Sequence, residues 1–163
     1  MAPSEKCLKG LKKKSPKKVQ NTTELHAKTV RYEEQIKSNY MVWVFNRAVI
    51  NGKFSFSPNR SDMNTVEILS TIMEYNKKTW PEVENELHGS KNRKTKHHFI
   101  GESYDSFSKT AKEEVDRFLD EQDLDRLFSF RIDGKTRVLG IREGEKFFVM
   151  WFDPNHEFYP VQK

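Results

Sequence analysis

The chain has 163 residues and a mass of 19.3 kDa, which is enough for one compact domain but not for a second of full size. Only 35% of the residues are hydrophobic, yet 12% are aromatic, which predicts a core rich in large rings. No N-terminal apolar stretch could serve as a signal peptide, and the longest apolar run, Phe147 to Phe152, is too short to span a bilayer. We therefore expect a cytoplasmic protein without a membrane partner.

The net charge of +5 is concentrated at the start of the chain. Residues 1–20 hold seven lysines and one glutamate, so the rest of the chain is nearly neutral. A lysine-rich segment with so little apolar content cannot bury enough surface to order itself. We predict a disordered basic arm over residues 1–21 and a single domain over residues 22–163. The arm either attracts nucleic-acid phosphates or is only a solvated tail.

The next segments predict a helix and a hairpin. A weak helical periodicity over residues 22–38 favours a helix. Residues 40–49 and 53–57 then place apolar side chains alternately on two faces, and Asn51-Gly52 between them is a strong signal for a two-residue turn. We predict that these two stretches pair as an antiparallel hairpin.

Two helices are predicted after the hairpin. The first has apolar residues at helical spacing and ends near residues 76–78. The second begins at a capping box, in which Thr79 and Glu82 bind each other's backbone, with Pro81 tolerated in the first turn. The side chains expected to face the core are Met63, Val66, Leu69, Ile72 and Met73 on the first helix, and Trp80, Val83 and Leu87 on the second.

Two segments of opposite charge follow. Residues 89–98 contain no acidic and no apolar residue, so we expect an exposed basic loop that is free to bind nucleic acid. Residues 101–125 hold nine acidic residues and one apolar stripe, which predicts a helix whose acidic face is unsuited to RNA or DNA. The basic side chains of the loop are Lys91, Arg93, Lys94 and Lys96.

The last forty residues predict a meander of three antiparallel strands. The turns between them, Asp133-Gly134 and Glu143-Gly144, have hairpin chemistry. The third strand is apolar on both faces, as a strand covered by other elements on both sides would be. The predicted class is therefore α+β, an antiparallel sheet of meander and N-terminal hairpin packed against several helices. The predicted strands are Leu127 to Ile132, Thr136 to Ile141 and Lys146 to Phe152.

The block "FSFRIDGKTRVLGIREGEKFFVMWFDPNHEFYP", preceded by "KHHFI", resembles bacterial and phage-associated toxins of the RelE/ParE type. The resemblance covers residues 97–160 and depends on the pattern R-x-x-G-K-x-R-x-x-G, an aromatic strand and D-P-x-H. Toxins of this type share a helix pair followed by an antiparallel meander that carries Arg and Lys. The arm, the first helix, the hairpin and the capping-box helix are additional to a minimal toxin of this fold.

The resemblance implies an endoribonuclease that cleaves mRNA on the ribosome without a metal ion or cofactor. The ribose 2′-hydroxyl would attack the adjacent phosphorus, which requires a proton acceptor, a proton donor and cations. It implies RNA or the ribosome as a partner, with a possible antitoxin or host protein. Strand alternation prevents all the cations from lining one site, so the favoured catalytic residues are Arg131, Arg137, His156 and Tyr159. The further candidates for binding nucleic acid are Lys135, Arg142 and Lys146.

Structural roles remain open for the same residues. Asp153 to His156 forms a turn in one interpretation, with Asp153 accepting backbone hydrogen bonds. Arg131 and Arg137 flank the Asp133-Gly134 turn, so they could instead pair with Asp133 or the acidic helix. A metal site at His97 and His98 is disfavoured, because neighbours on an extended segment point in opposite directions and no other ligand lies nearby.

Two functions of other classes also remain open. The basic loop and arm could dock on nucleic acid or on a host protein without any chemistry. Alternatively, the chain could be an inhibitor or regulator whose acidic helix imitates a nucleic-acid surface.

Overall fold

The computed structural model describes residues 39–89 and 94–160. The predicted arm, the predicted helix over residues 22–38, and Lys91 and Arg93 of the basic loop lie outside the described residues. Within the described part, the fold is a mixed α/β arrangement consistent with the α+β class, with helices on both faces of a five-stranded sheet. No helix in residues 39–89 or 94–160 is both long and apolar enough to cross a membrane.

The five-stranded sheet has the order β1-β7-β6-β5-β4, and a separate two-stranded ribbon is formed by β2 and β3. The last three strands form the predicted antiparallel meander, with turns at both predicted positions. The strands are β1 Val42–Val44, β2 Leu87–His88, β3 Lys94–Thr95, β4 His98–Phe99, β5 Leu127–Arg131, β6 Arg137–Glu143 and β7 Lys146–Asp153.

The predicted N-terminal hairpin is wrong, and the sheet is mixed rather than purely antiparallel. β1 pairs in parallel with β7, with Trp43 opposite Phe147. The second stretch of the predicted hairpin, residues 53–57, also contacts β7, since the Phe152 N–H donates to the Phe54 carbonyl at 2.8 Å. Asn51-Gly52 is still a turn, and Gly52 adopts a φ of +98°. The turn prediction was therefore correct, and the two stretches share a backbone hydrogen bond from the Phe56 N–H to the Val49 carbonyl at 2.6 Å, but the strand partner of β1 is β7.

The predicted helix starts agree with the structure better than the predicted buried faces do. The capping box is present, since the Thr79 N–H donates to Glu82 Oε2 at 2.7 Å. The predicted acidic helix forms two helices instead of one. Asp120 lies beyond the end of the first helix, and its side chain caps the start of the second. The helices are α1 Thr65–Tyr75, α2 Trp80–Glu84, α3 Lys109–Phe118 and α4 Glu121–Leu124, with a 3-10 helix at Gly101–Ser106.

The predicted apolar stripe of α1 is wrong for three of its five residues. Met63 is buried and Ile72 is partly buried against the core as predicted, but the other three are exposed, and the helix buries Ile68 and Tyr75 instead. The Tyr75 ring packs edge-on against Phe130 with centroids 4.6 Å apart, and its hydroxyl binds Glu86. These contacts set the rotation of the helix. The exposed side chains are Val66, Leu69 and Met73, and in the next segment Leu87 is also exposed while Trp80 and Val83 are buried as predicted.

Two apolar cores lie on the two faces of the sheet. One packs α3 against β6 and β7 through Ala111 and Val115, and the other packs α1 and α2 through Tyr75 and Trp80. β7 is buried on both faces, as predicted, and Phe147 and Trp151 have no exposed surface. The register between β6 and β7 shifts at Leu139/Gly140, and this irregularity places Met150 and Trp151 in the same core.

Candidate active site

A cavity of about 930 Å³ opens at one end of the sheet. The β5–β6 turn, the segment after β7, strand β4 and the β2–β3 ribbon meet there. Four cations and three histidines line the cavity, and no lining residue is acidic. The lining residues are His88, Lys94, Thr95, His98, Arg131, Gly134, Lys135, Arg137, Asn155, His156 and Tyr159.

Strand register brings the predicted catalytic residues together. Arg131 on β5 lies opposite Arg137 on β6, and Arg137 lies opposite Asp153 on β7. β4 adds His98, which is paired with Ser129. These side chains lie on the face of the sheet that carries α3, because alternate residues of a strand share a face.

Arg137 is the least expected feature of the cavity. It is 7% exposed, and its Nη1 donates to the backbone carbonyls of Asp133, Gly134 and Thr136 at 3.0–3.3 Å. Its Nε is buried and has no hydrogen-bond partner among the described residues. Burial lowers the pKa of the guanidinium, although it remains charged at neutral pH. A buried cation with an unused donor is suited to an anionic ligand.

The two arginines bind the β5–β6 turn through its backbone rather than through a carboxylate. Arg131 Nε donates to the Asp133 carbonyl at 2.8 Å. The Asp133 carboxylate instead accepts from the Thr136 N–H at 3.0 Å. Within residues 39–89 and 94–160, neither arginine forms an ion pair. The turn therefore positions both cations, and the Asp153 carboxylate opposite Arg137 acts on its charge without forming an ion pair.

The segment after β7 is the turn that the sequence suggested, and it also presents two side chains to the cavity. The buried Asp153 carboxylate accepts from the N–H groups of Asn155, Glu157 and Phe158 at 2.8–3.3 Å. His156 takes a left-handed φ of 60° inside this turn. The structural interpretation is thus confirmed for Asp153, and the turn holds the His156 ring 4.6 Å from the Tyr159 ring, centroid to centroid.

Tyr159 forms the apolar wall of the cavity and is 9% exposed. Its hydroxyl shares a 2.5 Å hydrogen bond with Ser129 Oγ. Burial raises the pKa of the phenol, while Ser129 and the Arg137 guanidinium act in the opposite direction. The phenol therefore stays protonated at neutral pH.

The three histidines of the cavity are neutral at pH 7. Burial lowers the pKa of His88, His98 and His156 below the usual 6.5, and the neighbouring arginines lower it further. Asp153 partly offsets this effect at His156. Neutral imidazoles beside these cations can accept protons and can also bind an anion after protonation.

Of the remaining predicted site residues in the described ranges, two line the cavity and three lie elsewhere. Lys94 and Lys135 line the cavity, whereas Arg142 pairs with Glu84 and lies over the Trp80 ring at 4.2 Å. Lys96 donates to Glu86 at 2.7 Å and to the Tyr75 hydroxyl at 2.6 Å. Lys146 is exposed at the start of β7, at the opposite end of the strand from the cavity.

Sequence reasoning did not assign His88 or His98 to the site. The signal for His98 was the His97-His98 pair, whose members do point in opposite directions. His97 is buried under α1, where its Nδ1 accepts from the Arg131 N–H at 3.1 Å and its Nε2 lies 3.0 Å from the Tyr75 hydroxyl. In the described ranges, no three His, Cys, Asp or Glu side chains are placed to share a metal ion.

A polar network behind the cavity supports β4. The Tyr75 hydroxyl donates to Glu86, which also accepts from Lys78 and Lys96 at 3.0 and 2.7 Å. Despite the cost of burial, these partners lower the pKa of Glu86 to about 2. Burial lowers the pKa of His97 to about 3. The network is fully formed only while Glu86 is charged and His97 is neutral.

Comparison with known proteins assigns no family to this chain. No protein-family model, no curated protein and no solved structure matches it. The resemblance to RelE/ParE-type toxins therefore stays a prediction, and the function is inferred from the cavity.

Proposed function

We propose that the cavity binds a phosphodiester of RNA and cleaves it, as an endoribonuclease of the RelE/ParE-toxin type. The observation that carries this proposal is Arg137, a buried cation without an ion pair among the described residues, which lines a cavity whose lining contains no carboxylate. A buried charge is costly unless something of opposite sign compensates it. A phosphate group supplies that charge, and Arg131 and Lys135 stand beside it.

The arrangement can perform transesterification with its own side chains. Arg131 and Arg137 would hold the charge that develops on the phosphate, a contribution worth roughly 10²–10³ in rate for one such donor in other enzymes. His156 would donate a proton to the leaving 5′-oxygen. Because the lining offers cations and imidazoles rather than carboxylates, its donor set suits the phosphate itself better than a hard metal ion.

The resemblance in sequence directs the proposal to messenger RNA on the ribosome. Lys94 and Lys135 are exposed at the cavity and can contact flanking phosphates. An antitoxin would be expected to cover this cavity with acidic side chains, because the lining is uniformly basic or neutral.

A second candidate is a module that binds nucleic acid without cleaving it. The same exposed lysines favour it, because they would give a salt-dependent contact without any chemistry. The two candidates predict the same binding and differ in turnover alone.

The test compares two lysines at opposite ends of the sheet. Lys135→Gln should weaken the binding of a single-stranded RNA and reduce the salt dependence of its Kd by about one phosphate contact. Lys146→Gln removes the same charge at the far end of β7 and serves as the matched control. Equal effects of the two substitutions on RNA binding would contradict the proposed location, and binding without strand cleavage would favour the second candidate.

A further inference from the structure

His98 lines the cavity from the edge strand β4, and its ring nitrogens form no hydrogen bond with the described residues. Its backbone belongs to β4, opposite Ser129 of β5, so the position of the ring is fixed by the sheet. Its Nδ1 is buried and has no hydrogen-bond partner among the described residues. With Nδ1 closed to solvent, Nε2 is the nitrogen that reaches the cavity. His97, by contrast, uses both ring nitrogens inside the fold.

Tyr159 packs against two histidines. The His98 ring packs edge-on against it with centroids 6.0 Å apart, and the His156 ring lies 4.6 Å away. The two imidazoles are therefore separated by no more than the sum of these distances. Arg137 lies in the same cavity and influences the titration of both histidines and of Tyr159. Two proton carriers on either side of a phosphate site are what an in-line displacement requires.

We propose that His98 accepts the proton of the ribose 2′-hydroxyl while His156 protonates the leaving 5′-oxygen, with Tyr159 packed against both rings. This inference rests on the proposed function and assigns the reaction a base that the sequence did not suggest. The substrate is an RNA linkage with a free 2′-hydroxyl, and the products are a 2′,3′-cyclic phosphate and a 5′-hydroxyl.

The step balances without a co-reactant. A bond forms between the 2′-oxygen and phosphorus as the bond from phosphorus to the 5′-oxygen breaks. In the reactive form of the protein His156 is protonated and His98 is neutral. One proton moves from the 2′-hydroxyl to His98 and one moves from His156 to the 5′-oxygen, so the summed charge of the two imidazoles is unchanged. Exchange with water then restores both rings.

The surroundings favour this division of roles. His98 is faced by Arg137, His88, His156 and Tyr159, and none of these groups is an anion at neutral pH. His156 is close to Asp153, whose carboxylate favours the protonated ring. Of the two, His156 is therefore the ring that more often carries the proton to be donated, and His98 is the ring that is more often neutral and free to accept one.

The test uses an RNA in which sulfur replaces the bridging 5′-oxygen at the cleaved linkage. A thiolate leaves without being protonated, since the thiol pKa of about 8.5 is far below that of an alcohol. His156→Asn should slow cleavage of the ordinary RNA by about 10²-fold or more but leave cleavage of the sulfur substrate within a few-fold of the parent. His98→Asn should slow both substrates by about 10²-fold or more. Lys146→Gln, which changes an exposed side chain at the far end of β7, is the control and should have little effect on either.

Each outcome separates this inference from the proposed function. Normal cleavage by His98→Asn, or rescue of that variant by the sulfur substrate, would overturn the role of His98 and leave the endoribonuclease intact. Failure of the parent to cleave either RNA would overturn both. If His98→Asn and His98→Gln both unfold, the kcat/KM profile of the parent decides, with a bell shape centred below pH 6.5 supporting the histidine pair and a single ionisation contradicting it.

Discussion

At the scale of single residues, the most unusual feature is Arg137, a buried arginine that forms no ion pair with the described residues. Its burial could not be predicted from sequence, because a basic residue on a strand next to a turn is usually solvated. Strand alternation did predict that the cations would not all line one site, and Arg142 indeed lies over Trp80, away from the cavity. That Arg131, Arg137, His156 and Tyr159 meet in one cavity is a finding of the structure. The contribution of His98 did not follow from the sequence either, since β4 has two residues and leaves almost no periodic signal.

Replacing Arg137 by Met should weaken RNA binding without lowering the stability of the fold. The substitution removes a buried charge that has no carboxylate partner in the described part of the chain, so the free energy of unfolding should change by less than about 1 kcal/mol or rise. RNA affinity should fall by about tenfold or more, because the phosphate loses a charge-assisted partner. Urea unfolding and RNA titration measure the two effects.

Arg142→Met is the matched control for that experiment. Arg142 is also largely buried but pairs with Glu84 and covers Trp80, so its loss should destabilise the fold by about 1 kcal/mol without weakening RNA binding. If Arg137→Met were the more destabilising variant and bound RNA normally, Arg137 would be a structural residue.

At the scale of elements, β7 determines how the N-terminal half is arranged. Local patterns predicted the meander, its turns and the double-sided burial of β7, because those features depend on neighbouring residues. The hairpin prediction failed because Asn51-Gly52 specifies a turn but not the partner of its flanking strands. The apolar face of α1 was misassigned because Tyr75 was not counted among the apolar residues, although its ring is packed in the core and its hydroxyl is bound to Glu86.

Gly140 should be essential to the pairing of β6 with β7. The register shifts beside it, and a Cβ at this position would overlap the carbonyl group of Phe148. We expect Gly140→Ala to reduce the free energy of unfolding by about 1–3 kcal/mol, since backbone must move to make room. Gly134→Ala is the control, because a Cβ there meets nothing within 4 Å. Equal stability of both variants in urea would show that the strands tolerate the extra atom.

At the scale of the whole molecule, two features depend on residues far apart in sequence. One is the cavity, which collects side chains from four segments, and the other is the Glu86 network beneath β4. Local sequence patterns cannot predict the cavity or the network, because both form only when the sheet and α1 are packed together. Composition did predict the aromatic core that supports them, and Trp80, Phe147 and Trp151 have no exposed surface.

The network should make the protein sensitive to acid. The pKa of His97 falls from 6.5 to about 3 on folding, so its neutral form stabilises the fold above pH 6.5 and this stability is lost between pH 6.5 and 3. Glu86, with a pKa lowered from 4.5 to about 2, adds a loss between pH 4.5 and 2. His97→Gln keeps a donor and an acceptor but cannot titrate. Its free energy of unfolding should therefore fall less steeply than that of the parent between pH 6.5 and 4.5, and parallel profiles would exclude His97 as the cause.

The central claim is that the cavity cleaves RNA by attack of a ribose 2′-hydroxyl. The most direct measurement maps the cuts that the purified protein makes in a short RNA, then repeats the assay with a single 2′-deoxyribose placed 5′ to the main cut. The structure predicts products ending in a 2′,3′-cyclic phosphate, loss of cleavage at the substituted linkage alone, and loss of all cleavage in His156→Asn. Cleavage that persists at the deoxyribose, or an RNA that stays intact with the parent protein and with the protein bound to ribosomes, would contradict it.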